Sequence, residues 1–339
     1  MKNSFLFKTA LIFTAIFSIN QANSQLVINE YSCSNMNTYT DAFGENEDWV
    51  EIYNGTPAAI DLTGYFLSDK ASNLTKWQIP NGTVPANGYV MVVGSKRNTI
   101  MGGELHPNFN LKQTQNDWII LANNFANILD SIKIVHVTKK GHSVGRSTNG
   151  AADWKLFTSP TPGSANMGAQ NFYEPKPVIS VAPGFYPGAQ NVAITCANPS
   201  ATIRYTLDGS QPNGGSTIYN GPINVSTTLA LRAASFGSNE TSFTETNSYF
   251  IGVTHTVPVV SVCGEEIFDL IAGGNTGSNK IGSFELFEQN GVFIDEGDGD
   301  FNKHGNDSWS YGQRGFDFIM KDQYGYTDGL DHQCCRPNL

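Results

Sequence analysis

The chain has 339 residues, 40% of them hydrophobic and 15% charged, with a formal net charge of −10. That length has room for two or three domains with true cores. An acidic chain without a Lys/Arg cluster makes a poor nucleic-acid partner, and 34 Gly and 15 Pro among Asn, Ser and Thr suggest many turns between short strands.

Residues 1–24 read as a secretory signal peptide. Lys2 and Lys8 form its positive end, Thr9 to Ile19 its apolar stretch, and Ala22-Asn23-Ser24 a small-x-small cleavage site before Gln25. No Cys follows that site, so a lipid anchor is not expected. Cleavage takes two Lys and no acid from −10, which leaves −12. No later run reaches the roughly 18 apolar residues of a membrane span. The mature chain is therefore expected to be secreted or held at the cell surface, with no membrane span.

Residues 25–166 carry period-2 stretches. Val50 and Ile52 alternate with Trp49, Glu51 and Tyr53, as in a half-buried strand, and Tyr89–Val93 and Trp118–Leu121 are apolar enough for central strands. Asn54-Gly55, Asn81-Gly82 and Gly102-Gly103 punctuate them. Many short strands at close spacing predict a sandwich of antiparallel sheets. Asn29-Glu30, Asp48–Asn54, Asp61–Tyr65, Trp77–Pro80, Ser143–Arg146 and Pro160–Asn166 together resemble the lamin-tail domain, an immunoglobulin-like sandwich. The resemblance implies a non-catalytic accessory module.

Residues 167–176, with Gly, Asn, Gln and Pro, read as a linker. In 177–252, Ile203, Tyr205 and Leu207 alternate with polar residues up to an Asp208-Gly209 turn, and Leu229, Leu231 and Ala233 mark a one-sided strand. With Pro183–Tyr186 and Tyr219–Ile223, this order resembles the chitobiase/β-hexosaminidase C-terminal-type domain, implying a small fibronectin-III-like sandwich. All five Trp lie outside it, so a sugar platform is disfavoured and Tyr186 and Tyr219 are read as fold-fixing.

From 253 the texture changes. Val257–Val262 reads as a strand and Glu265–Ala272 as a short helical turn; Phe284–Gln289 and Val292–Asp295 flank the hairpin signal Asn290-Gly291. With His304–Ser308 and Arg314–Lys321, this order resembles the opening of the CotH-type kinase family, which implies a partial α+β kinase-like N-terminal lobe over 253–339. Phosphoryl transfer needs magnesium-binding acids, which in kinase-like folds lie in a second lobe. No catalytic or cofactor-binding residue can be carried over, and Arg314 and Lys321 are read as solvated or cross-strand residues rather than as phosphate contacts. His332–Leu339 match no continuing element, so the reading frame is expected to be cut short.

Among the five Cys (33, 196, 263, 334, 335) there is no CxxC and no zinc spacing with the six His, and Cys196 is read as a small buried residue. Asp298, Asp300 and Asn302 have the alternate spacing of a calcium loop. Lys303 stands where that loop needs Gly and Trp309 where it needs Glu, so a polar hairpin arm is favoured and no metal or cofactor is assigned. The fold expected is mainly β, two immunoglobulin/fibronectin-III-like sandwiches followed by the partial lobe. The function expected is non-catalytic: an exported binding or spacer region of a CotH-type protein, attaching to an extracellular protein or cell-surface polymer. The alternatives are a secreted protein kinase lacking its catalytic lobe and a carbohydrate-targeting module.

Overall fold

The computed structural model describes residues 26–264, 267–268, 270, 280–289, 291–305 and 315–325. The signal segment, most of the helical turn expected at 265–272, Asn290, 306–314 with Trp309 and Arg314, and the tail with Cys334 and Cys335 lie outside them. The described chain is mainly β.

The first sandwich pairs a seven-stranded sheet with a four-stranded one. Across the larger sheet run Trp154–Phe157, Ser143–Arg146, Leu26–Ser32, Trp49–Asn54, Tyr89–Val93, Glu104–His106 and Thr99–Met101. Ile128–Lys133, Trp118–Ala122, Phe66–Ser68 and Trp77–Gln78 form the other. Val50, Ile52, Val90 and Val92 meet Leu67, Trp77, Ile119 and Leu121 between them. As expected, Tyr89–Val93 and Trp118–Ala122 have neighbours on both edges.

Trp49–Asn54 departs from the half-buried expectation. Its polar side is buried too, because the chain at 160–166 folds back over it. Asn29 Nδ2 donates to Glu51 Oε1 at 2.8 Å and to Asn166 Oδ1 at 2.8 Å, and the Gly163 N–H donates to Glu51 Oε2 at 2.7 Å. Glu30 accepts from Ser143 and Thr161 on the same side. The Asn29-Glu30, Glu51 and Pro160–Asn166 signatures are thus parts of one buried polar clasp.

The second sandwich has a five-stranded sheet ordered Gly184–Tyr186, Glu245–Ile251, Leu229–Phe236, Thr202–Thr206, Thr217–Ile218. Val192, Val225, Leu231, Ala233 and Tyr249 fill its core, with Tyr186 and Tyr219 packed against them. Tyr186 Oη donates to the Ala182 carbonyl at 2.7 Å, consistent with a fold-fixing role. Two local expectations are corrected. Asp208-Gly209 is not a two-residue hairpin: Asp208 accepts from the Ser210 N–H and Oγ, opening a longer excursion before Thr217–Ile218. Cys196 lies just past its strand and is half-buried, where it accepts from Ser235 Oγ at 3.3 Å.

The stretch 167–176 is strapped to both sandwiches rather than free. Leu156 and Gln170 exchange backbone hydrogen bonds, Phe172 stacks on His136 at 3.8 Å, and the Glu174 N–H donates to the Glu240 carbonyl at 2.7 Å.

The third region is a four-stranded antiparallel sheet ordered Val259–Cys263, Lys280–Phe287, Phe293–Lys303, Phe316–Met320. Glu288 and Val292 close the expected hairpin, and Gly291 takes φ +82°, which suits a residue without Cβ. One face buries Phe284, Leu286 and Phe301 under Ile267 and Leu270. Phe318 lies between Phe284 and Phe301, with centroids 4.6 and 4.5 Å away. A 3₁₀ turn, Asp322–Tyr324, follows the last strand.

Candidate functional site at the three-way junction

The other face of the third sheet lies on the outer side of Leu229–Phe236 and Glu245–Ile251. At one end the contact is apolar: Phe185 and Phe250 stack at 4.4 Å, and Phe287 meets them edge-on at 5.9 and 5.3 Å. At the other it is polar. Arg232, only 4% exposed, donates from Nε to Thr246, from Nη1 to the Gly209 carbonyl and from Nη2 to Ser283 Oγ at 3.2 Å. Ser283 Oγ in turn donates to Asp298 Oδ1 at 2.7 Å. The Ser248 N–H and Oγ both donate to Glu285, and Lys176 pairs with Glu245. Burial raises the carboxyls of Glu285 and Glu296 to about 7 each and pushes that of Asp298 up.

The first sandwich reaches the same place through its 138–142 loop. Gln113 holds that loop: Thr138 N and Oγ1 donate to its Oε1, and its Nε2 donates to the Thr138 carbonyl. Gln113 also binds the third region, with its N–H donating to Asp322 Oδ2 at 2.9 Å and its Nε2 to the Asp322 carbonyl. Within the loop Lys139 Nζ donates to the Thr241 carbonyl at 2.8 Å and sits 5.2 and 5.7 Å from the ring centroids of Tyr173 and Phe243. Burial lowers its ammonium to about 8. Tyr173 Oη accepts from the Lys139 N–H and bonds His142 Nδ1 at 2.7 Å.

A cavity of about 310 Å³ opens where the three parts meet. Lys139 and Lys140 line it from the first sandwich, Arg232 and Phe243 from the second, Asp298 and Tyr324 from the third region. A smaller recess of about 70 Å³ adjoins it through Phe243, Thr244 and Asp298, and gathers Lys176, Glu285 and Glu296. This arrangement can hold a ligand by charge and hydrogen bonding. Burial pushes the Cys33 thiol well up and that of Cys263 to about 12, so neither is a thiolate nucleophile at neutral pH.

The calcium candidates are placed differently from a loop. Asp298, Asp300 and Asn302 occupy alternate positions of one extended strand, Phe293–Lys303, where side chains on one face stand about 6–7 Å apart. Asp298 is turned to Ser283, and Asn302 Nδ2 donates to Asp300 Oδ2 at 3.2 Å. Among the described residues, no group of three His, Cys, Asp or Glu is arranged to hold a metal ion. Lys321 is exposed, near Glu47, and does not line the cavity.

Sequence reading missed Gln113, Lys139 and Arg232. A signal for Arg232 was present: on the strand side opposite Leu231 and Ala233 it stands between Ala230 and Ala234, small residues that leave room for a covering sheet. Nothing marked Gln113, whose partners Thr138 and Asp322 are distant in sequence.

Residues 19–136 match the family model of the Lamin Tail Domain, and 181–247 that of the Chitobiase/beta-hexosaminidase C-terminal domain. The first sandwich is lamin-tail-like. Its match stops at 136, yet Ser143–Arg146 and Trp154–Phe157 continue the same sheet, so the structural unit is longer than the matched segment. The second match lies inside the second sandwich. No curated protein matches the chain. Both matched modules are immunoglobulin-like and fit a non-catalytic binding role. Among the described residues no helix is long and apolar enough to cross a membrane.

Proposed function

We propose that this chain is an exported, non-catalytic binding region that attaches to an extracellular protein or cell-surface polymer. It presents its two sandwiches and third sheet as one packed unit. The observation that carries this reading is the use made of the junction's charged groups. Arg232, Lys139, Glu285 and Asp322 each bond across from one part of the chain to another, so they brace a recognition surface. Export is supported by the order of charged, apolar and small residues in 1–24. The third region's hairpin and Phe316–Met320 strand are what support a CotH-type relationship, a reading that rests on sequence resemblance.

Two measurements test the proposal. Fractionation of cells expressing the chain with and without residues 1–24 should move it from the medium or surface to the cytoplasm. The purified mature protein should be retained on intact cell envelopes and show no magnesium-dependent phosphate transfer from ATP. Retention no better than that of an unrelated acidic protein, or transfer of phosphate, sinks the reading.

A further inference from the structure

We infer that the junction cavity is a binding site for a small hydroxyl-bearing oxyanion, a carboxylate or phosphate ester, held by Lys139, Lys140 and Arg232 and oriented by Asp298. The inference deepens the binding function proposed above and rests on it.

Charge balance comes first. Three cations and one carboxylate face the cavity. Arg232 is neutralised in part by Asp298 through Ser283. Lys139 is held differently: its hydrogen bond goes to a carbonyl, its Nζ lies against two ring faces, and the Glu240 carboxylate acts on it only through space. Taking the ammonium out of water costs free energy that Glu240 offsets only in part, and that cost is why its proton affinity falls. An anion beside Lys139 and the exposed Lys140 would offset it with charge-assisted hydrogen bonds. Arg232 adds a fixed planar donor whose described partners use three of its five N–H groups.

The acceptors lie where the cavity adjoins the recess. Asp298 borders both cavity and recess, and Glu285 and Glu296 line the recess behind it. A purely anionic ligand would meet repulsion there. One carrying hydroxyls would donate to Asp298 while its oxyanion faces the lysines. The cavity's 310 Å³ is at the small end for ligand pockets, which favours a single ring or short chain over a polymer.

Titration calorimetry of the mature protein at low ionic strength, with gluconate, glucose 6-phosphate and glucose as probes, tests the site. At least one anionic probe should bind with a Kd below ~1 mM, and the pair separates a carboxylate from a phosphate ester. Glucose should give no heat. Lys140→Glu, at an exposed position that leaves folding intact, should weaken binding at least tenfold. Lys70→Gln, at an exposed position that lines neither the cavity nor the recess, should leave it unchanged. Heat from neither anion, equal affinity for glucose, or indifference to Lys140→Glu overturns the assignment. Envelope retention is measured separately, so a silent calorimeter with retained protein rejects this ligand class without touching the broader function.

Discussion

Gln113 and Asp322, 209 positions apart in the chain, share two hydrogen bonds, and the same Gln113 side chain pins the loop that carries Lys139. One buried amide therefore couples the first sandwich, the junction cavity and the third region. Gln113→Ala keeps the backbone N–H bond to Asp322 Oδ2 but removes the side-chain bonds to the Asp322 carbonyl and to buried Thr138, at about 1–3 kcal/mol for a buried unsatisfied group. Urea unfolding should show that loss, and hydrogen exchange should rise in 138–142 and 322–324 together. A change confined to one of the two segments would contradict the coupling.

Arg232→Met tests how the third sheet is held. Methionine keeps much of the apolar volume but removes the bonds to Thr246, Gly209 and Ser283. Removing one side of such a buried ionic network costs about 3 kcal/mol. Under limited digestion with proteinase K, which needs no Lys or Arg, the variant should be cut within the exposed 252–258 segment faster than the native chain and release a two-sandwich fragment ending there. Equal digestion patterns would mean that the aromatic contact of Phe185, Phe250 and Phe287 suffices.

Stability should fall as pH rises from 6.5 to 8. Burial raises Asp48 and Glu51 to about 8 and Glu285 and Glu296 to about 7. Unfolded, these carboxyls titrate near 4. Between those values the folded chain binds more protons than the unfolded one, so raising pH favours unfolding. His142 works oppositely, but its window, from about 4 up to its ordinary value near 6.5, is already closed. Lys139 acts only above about 8. Thermal midpoints across pH 6.5–8 check the slope, and Glu51→Gln should flatten it. A flat or rising native profile would show that these carboxyls are ionised without penalty.

Gly145→Ala should disable the clasp around Glu30. A Cβ there would stand 2.9 Å from Phe157 Cε2, 3.0 Å from Glu30 Cγ and 3.1 Å from Asn166 Nδ2. Its neighbours are packed ring and buried amide, so the cost is that of overpacking, about 1–3 kcal/mol. Chemical denaturation would measure it. Gly103→Ala, whose Cβ meets nothing within 4 Å, isolates the strain of its φ of +89° for comparison.

How far the sequence could be read depended on distance along the chain. Val50/Ile52 and Leu229/Leu231 were readable as strands because alternation is local. The covering of their opposite sides was not, because Gly163 and Ser283 approach Glu51 and Arg232 from 112 and 51 residues away. Asp298, Asp300 and Asn302 read as a polar hairpin arm rather than a calcium loop because Lys303 and Trp309 break the loop pattern, and the strand Phe293–Lys303, paired with Lys280–Phe287, carries them.

The strap at 167–176 sets how the molecule answers to force. A slack tether would let one sandwich swing while its neighbour stayed anchored. Here the segment is stitched at Gln170 to one body and at Glu174 to the next, so tension applied at the ends loads both stitches and the intervening rings at once. The two sandwiches would transmit a pull like a stiff bracket.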